Sequence, residues 1–146
     1  RRKADPSTRA LVSRTGWLPP SPTPGVAFRA KLDSPGSRLT SSCDYTLQLP
    51  DMAPAWWNLA VFDGQGRLIS NPAERYAFSS SSAARQPDGR TMISVARDAR
   101  PGNWLPSGRA SRIVLVLTVQ DAATAATIHD EGIMRSLPEI KRERCR

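Results

Sequence analysis

Hydrophobic and polar positions alternate with a period of two along most of the chain beyond Val26. That is the pattern of strands with one face in a core. Residues 26–31 form the first such run, and Asp33-Ser34-Pro35-Gly36 closes it with turn residues. Cys43, Tyr45, Leu47 and Leu49 then alternate with Asp44, Thr46 and Gln48, which predicts a half-buried strand. Residues 56–62 are apolar on both faces and predict a central strand. Trp56 and Trp57 are adjacent, so a strand sends them to opposite faces and one of them into the core.

Asp63-Gly64-Gln65-Gly66 predicts a hairpin turn leading into residues 67–70. Asn71-Pro72 breaks that run, and Tyr76-Ala77-Phe78 resumes it. Asp88-Gly89 is a second hairpin signal, followed by an alternating run over 92–97. Residues 101–106 read as an ordered loop whose Trp104 plugs the end of a core. Residues 113–119 give the strongest strand of all, and the tail from Leu137 reads as irregular and charged.

Two stretches switch to helical signals. Asp5-Pro6 supplies a cap and a first-turn proline, and Gly16 a stop, predicting a short helix over 5–16. Asp121 caps an Ala-rich stretch predicted to be helical as far as His129. Between the first helix and the strands, residues 19–25 form a proline-rich connector. The expected architecture is mainly β. It is an antiparallel β-sandwich of jelly-roll type, with one short helix at the N-terminus and one near the C-terminus. Residues 1–25 form the helix and connector, and 26–146 the sandwich domain. Thirteen prolines and nine glycines in 146 residues favour this pattern of short strands and frequent turns.

The two cysteines, 102 positions apart, lack the spacing of a metal site, and His129 is the only histidine. Either both are free thiols in a reducing compartment, or they pair in an oxidising one. A bridge would tie the charged C-terminus to the strand that Cys43 opens. For a loop of that length the chain-entropy model gives about 4–5 kcal/mol. The net charge is 21 − 13 = +8. Arg1, Arg2 and Lys3 crowd one end, and Lys141, Arg142, Arg144 and Arg146 the other. These basic residues do not interleave with aromatics as a nucleic-acid surface would, so no nucleic-acid partner is expected. Contact between the basic start and an anionic membrane is the better fit.

No nucleophile elbow, phosphate loop or zinc-protease helix is present, and no cofactor or catalytic residue is expected. Polar residues beside aromatics still mark one candidate pocket: Trp57, Asn71, Arg75, Tyr76 and Trp104. They would bind a small molecule or a sugar. The alternative is that they are core and turn residues.

The ordered series Cys43-x-Tyr45-x-Leu47, Trp57-x-Leu59-x-Val61-Phe62-Asp63-x-x-Gly66-x-Leu68-Ile69, Asn71-Pro72-x-x-Arg75-Tyr76, Asp88-Gly89 and Asn103-Trp104-Leu105-Pro106 resembles the bacterial domain of unknown function 1214 family. Ala4-Asp5-Pro6-x-Thr8-Arg9-Ala10 and Leu137-Pro138-x-Ile140 through Cys145 resemble its short, membrane-anchored members. The resemblance implies a jelly-roll-like sandwich on the periplasmic side of a Gram-negative envelope. It also implies an N-terminal transmembrane helix or signal preceding Arg1, and a Cys43–Cys145 disulfide. It implies no settled activity. One departure stands out: Thr118 and Gln120 occupy positions where that resemblance leads one to expect Arg and Tyr. The functional expectation is therefore a non-catalytic envelope protein, a binding or accessory structural subunit with protein partners in a membrane complex. The alternative is a small-molecule or carbohydrate-active protein using the aromatic and arginine pocket.

Overall fold

The computed structural model describes residues 25–53, 55–120 and 137–146. The predicted helices over 5–16 and 121–129 lie outside these residues, as does His129. Among the described residues there is no helix, and hence none long and apolar enough to cross a membrane.

Eight strands are present: β1 (Gly25–Ala30), β2 (Cys43–Leu49), β3 (Trp56–Asp63), β4 (Ala77–Ser79), β5 (Thr91–Ala96), β6 (Asn103–Pro106), β7 (Ile113–Gln120) and β8 (Ile140–Cys145). They form two four-stranded sheets, ordered β1-β7-β3-β4 and β6-β5-β2-β8. One hydrophobic core joins the sheets. Alternate residues of the four inner strands feed it: Trp57, Leu59 and Val61 from β3, Leu115, Leu117 and Val119 from β7, Tyr45, Leu47 and Leu49 from β2, and Ile93 and Val95 from β5. The predicted central strand, β3, lies between β7 and β4 and is buried on both faces over Leu59–Phe62. Its other face carries Ala60 and Phe62, which cluster with Val114 and Val116.

The antiparallel expectation holds for every pair but one. β5 and β6 run parallel, with Ile93 opposite Asn103 and Ala96 opposite Pro106. A parallel return normally needs a long crossover. Here β6 is only four residues long, so the intervening residues, which can span roughly 20 Å when extended, easily cover its length. The predicted ordered loop at Trp104 is thus a short edge strand. The predicted tail is likewise a strand: β8 pairs with β2. Its only buried residue is Ile140, so it lacks the alternation that marks a strand.

Both predicted hairpin sequences form tight turns, but neither joins two paired strands: residues after the first make no strand, and the second lies between β4 and β5, which belong to different sheets. Gly66 takes a φ of 79° to close the turn after β3, a conformation that suits glycine. The Asp63 carboxylate accepts from the amides of Gln65 and Arg67. Residues 67–70 then make only one isolated bridge, Phe62 with Leu68, and not a strand.

Candidate functional site

Cys43 and Cys145 stand directly opposite each other in the β2–β8 pair and form a disulfide. A bulge follows on β8, where the register shifts between Asp44 and Tyr45. Asp44 faces Arg144 and Tyr45 faces Arg142, leaving Glu143 as the extra residue. That extra residue sorts the charges of β8. Arg144 Nε reaches Asp44 at 3.1 Å, and Arg142 Nε lies 3.6 Å from Asp33. Glu143 accepts from the Thr46 hydroxyl at 2.7 Å and sits 3.7 Å from Lys141. Arg146 pairs with Asp98. Each of the four basic residues that looked like a free patch in the sequence therefore has an acidic partner.

Asp44 is 5% exposed and also pairs with Arg100. Burial works to raise its pKa, but the hydrogen bonds from Arg144 and Arg100, helped by their charges, outweigh burial and hold it below the ordinary carboxylate value. Tyr45 is 1% exposed, and its hydroxyl oxygen accepts from the Thr40 amide at 3.0 Å. Burial raises its pKa. Both groups serve the framework that holds β8.

The five candidate pocket residues divide. Trp57 is 4% exposed and belongs to the core between the sheets, so it lines no open surface. Asn71 spends its amide on its own turn. Its oxygen accepts from the Arg75 amide at 3.1 Å, and its nitrogen donates to the carbonyls of Ile69 and Arg75. This clamp holds Glu74 at a φ of 49°, a conformation uncommon outside glycine. Arg75 Nη1 donates to the Trp104 carbonyl at 3.1 Å, and its guanidinium lies 5.2 Å from the Phe78 ring centroid, within cation–π range. Trp104 is half-buried and donates its indole N–H to the Ala96 carbonyl at 3.0 Å. Tyr76 is half-buried, and its carbonyl accepts from the Val61 amide. The structure thus brings Asn71, Arg75 and Trp104 together as a strap between β4 and β6, the edge strands of the two sheets, whereas Trp57 lies in the core beside Ser80, past the other end of β4.

Asn103 completes this strap. It is 8% exposed, donates to the carbonyls of Ala84 and Met92, and accepts from the Ala84 amide. Every polar atom of its amide is engaged, as a buried amide requires. Thr118 and Gln120 alternate with the core-facing Leu117 and Val119 and are half-buried. Thr118 is paired with Ala27 and Asn58 across the strands. Among the described residues no three His, Cys, Asp or Glu side chains gather in a metal-binding group.

A feature that sequence reading missed lies where β3 ends and β7 begins. An open hollow of about 160 Å³ is lined by Lys31, Arg38, Leu39, Gly64, Arg112, Ile113 and Val114. Lys31 and Arg38 are seven positions apart and Arg112 lies 74 positions further on, so no local charge run announced it.

These features define a class: a two-sheet β domain tied by one disulfide, with its motif residues built into the framework. The chain belongs to the protein of unknown function family DUF1214, whose model matches residues 24–124. The VPA0106 protein from Vibrio parahaemolyticus has a similar fold, with a TM-score of 0.67 at 18% identity, covering 92% of this chain and 34% of that one. An uncharacterized protein from Burkholderia cenocepacia is similar with a TM-score of 0.52 at 16% identity, covering 84% and 30% respectively. The chain therefore spans about a third of the length of these solved relatives. No curated protein matches it.

Proposed function

We propose that this domain is a non-catalytic binding or accessory structural subunit of a larger assembly, facing the periplasm of a Gram-negative envelope and held there by a membrane segment preceding Arg1. The observation that carries the reading is the Arg75–Trp104 strap. The polar groups best suited to a pocket are spent on the framework: Arg75 joins the two sheets, the Trp104 indole bonds β6 to β5, and the Asn71 amide holds its own turn, which leaves the outer surface to do the work. Two further facts support it. A fold of this shape makes up about a third of two longer chains, as a module does that works beside other domains. The Cys43–Cys145 disulfide suits an oxidising compartment. The jelly-roll topology expected from the resemblance belongs to the same proposal.

The competing reading is a small-molecule or carbohydrate site at Asn71, Arg75, Tyr76 and Trp104. Tryptophan fluorescence of the folded protein, titrated with mono- and oligosaccharides, separates the two. The assembly reading predicts no saturable change. A saturable quench that Trp104→Phe abolishes supports the sugar site instead.

A further inference from the structure

The hollow beside β7 is built by backbone bonding. Leu39 N–H donates to the Lys31 carbonyl at 2.9 Å, and the Leu39 carbonyl accepts from Ile113 N–H at 3.3 Å. The segment before β2 is thereby stitched between the end of β1 and the start of β7. Lys31, Arg38 and Arg112, each next in sequence to one of the stitched positions or part of it, are drawn around one hollow. Gly64, in the turn after β3, forms another wall. A Cβ at Gly64 would stand 3.1 Å from the Arg112 Cβ and 3.9 Å from its Cδ, so the bare backbone there gives the Arg112 stem its path. Buried Leu39 and Ile113 make an apolar floor.

All three cations are exposed, and among the described residues none has an acidic partner within salt-bridge distance. The nearby acids are committed elsewhere. Asp63 accepts from the amides of its own turn, and Asp33 accepts from the Ser37 amide and faces Arg142. The contrast with β8 is direct: its basic residues are neutralised one by one, whereas these three have no such acidic partner among the described residues. Like charges held around one concavity raise the local potential for an anion, and two guanidinium forks match the geometry of phosphate oxygens.

We infer that Lys31, Arg38 and Arg112 form a binding site for a phosphate-bearing anion. The inference stands independently of the assembly reading. The ligand is either a phosphorylated lipid headgroup or a free phosphate compound. Calorimetric titration with inorganic pyrophosphate tests the shared chemistry. The proteins compared are wild type, Arg38→Gln/Arg112→Gln, the single variant Lys31→Gln, and Arg90→Gln, a control at an exposed arginine of the 86–90 turn. The expected result is saturable binding by wild type and control, weakened at least about tenfold in the double variant and in the same direction by Lys31→Gln. All four should melt alike, because the changed side chains are exposed. Sedimentation with phosphatidylcholine vesicles containing phosphatidic acid identifies the source. Retention that pyrophosphate competes away, and that the double variant lacks, assigns the site to a lipid headgroup. Pyrophosphate binding without retention assigns it to a free phosphate compound. Absence of saturable pyrophosphate binding by wild type, or equal binding by wild type and the double variant, overturns the inference.

Discussion

The Arg75 guanidinium donates to the backbone carbonyl of Trp104 across 3.1 Å, and so ties the edge strand of one sheet to the edge strand of the other. Its position is set twice over: the Asn71 clamp fixes the Arg75 backbone, and the Phe78 ring supports its charge. A side chain held in this way acts on stability. Arg75→Met should lower the unfolding free energy by about 1.5–3 kcal/mol, the range for a hydrogen bond from a charged donor. Arg75→Lys should recover only part of it, because the planar fork is lost. Chemical denaturation measures both. Hydrogen exchange should quicken in β4 and β6 before it quickens in β2 or β7.

The second prediction concerns acid. Asp44 has its pKa lowered by two arginines despite burial. A carboxylate with a depressed folded pKa contributes stability that is fully present above its unfolded value, about 3.9. That contribution fades as pH falls through the lower folded value. Asp44→Asn should therefore cost about 1.5–3 kcal/mol near pH 7. The gap between variant and wild type should narrow steadily below about pH 4. Urea denaturation repeated from pH 7 to pH 2 checks this. A gap that is constant over the whole range would mean that the ion pairs contribute nothing.

Two glycines with positive φ differ in their surroundings. Gly108 has a φ of 60°, and a Cβ there would meet Ile69 Cγ2 at 2.2 Å. Gly66 has a φ of 79° and nothing within 4 Å. Gly66→Ala should incur backbone strain alone, about 1–3 kcal/mol. Gly108→Ala should cost more, because Ile69 must also shift. Thermal melts of the two variants side by side give the order.

The disulfide provides a fourth test. Denatured but unreduced protein should titrate with no free thiol, since both cysteines are bonded to each other. The double variant Cys43→Ser/Cys145→Ser should lose up to about 4–5 kcal/mol relative to the oxidised protein, and protease should cut first in the residues after Ile140. Two reactive thiols in the unreduced protein would refute the pairing.

The elements that were legible in the sequence share a physical feature. β2, β3 and β7 bury alternate or consecutive apolar residues, so their environment is written locally. β8 was not legible. It is an edge strand with charged side chains, as edge strands often are, and its order comes from Asp33, Asp44, Asp98 and Cys43, all at least 40 positions away in the chain. β6 was hidden because Pro101 and Pro106 bracket it and parallel pairing leaves no periodic mark. The same reasoning explains the site. The basic residues crowded at 141–146 are neutralised in the fold, whereas Lys31, Arg38 and Arg112, which no sequence pattern singled out, are gathered around one hollow. The strand pattern of Trp56 and Trp57 showed only that one of them enters the core; it is Trp57, a member of the candidate pocket. Arg75 and Trp104 revealed only that they were polar and aromatic neighbours, because a hydrogen bond to a carbonyl 29 positions on has no sequence signature.

The proposed role of the domain is that of a binding or accessory subunit. The most direct measurement is the mass of the native particle, obtained by light scattering on protein extracted from its own membranes in mild detergent. The expected particle is heavier than a single copy of the protein, with a second protein at fixed stoichiometry in the same peak. A monodisperse monomer with no partner, across several mild detergents, would contradict it.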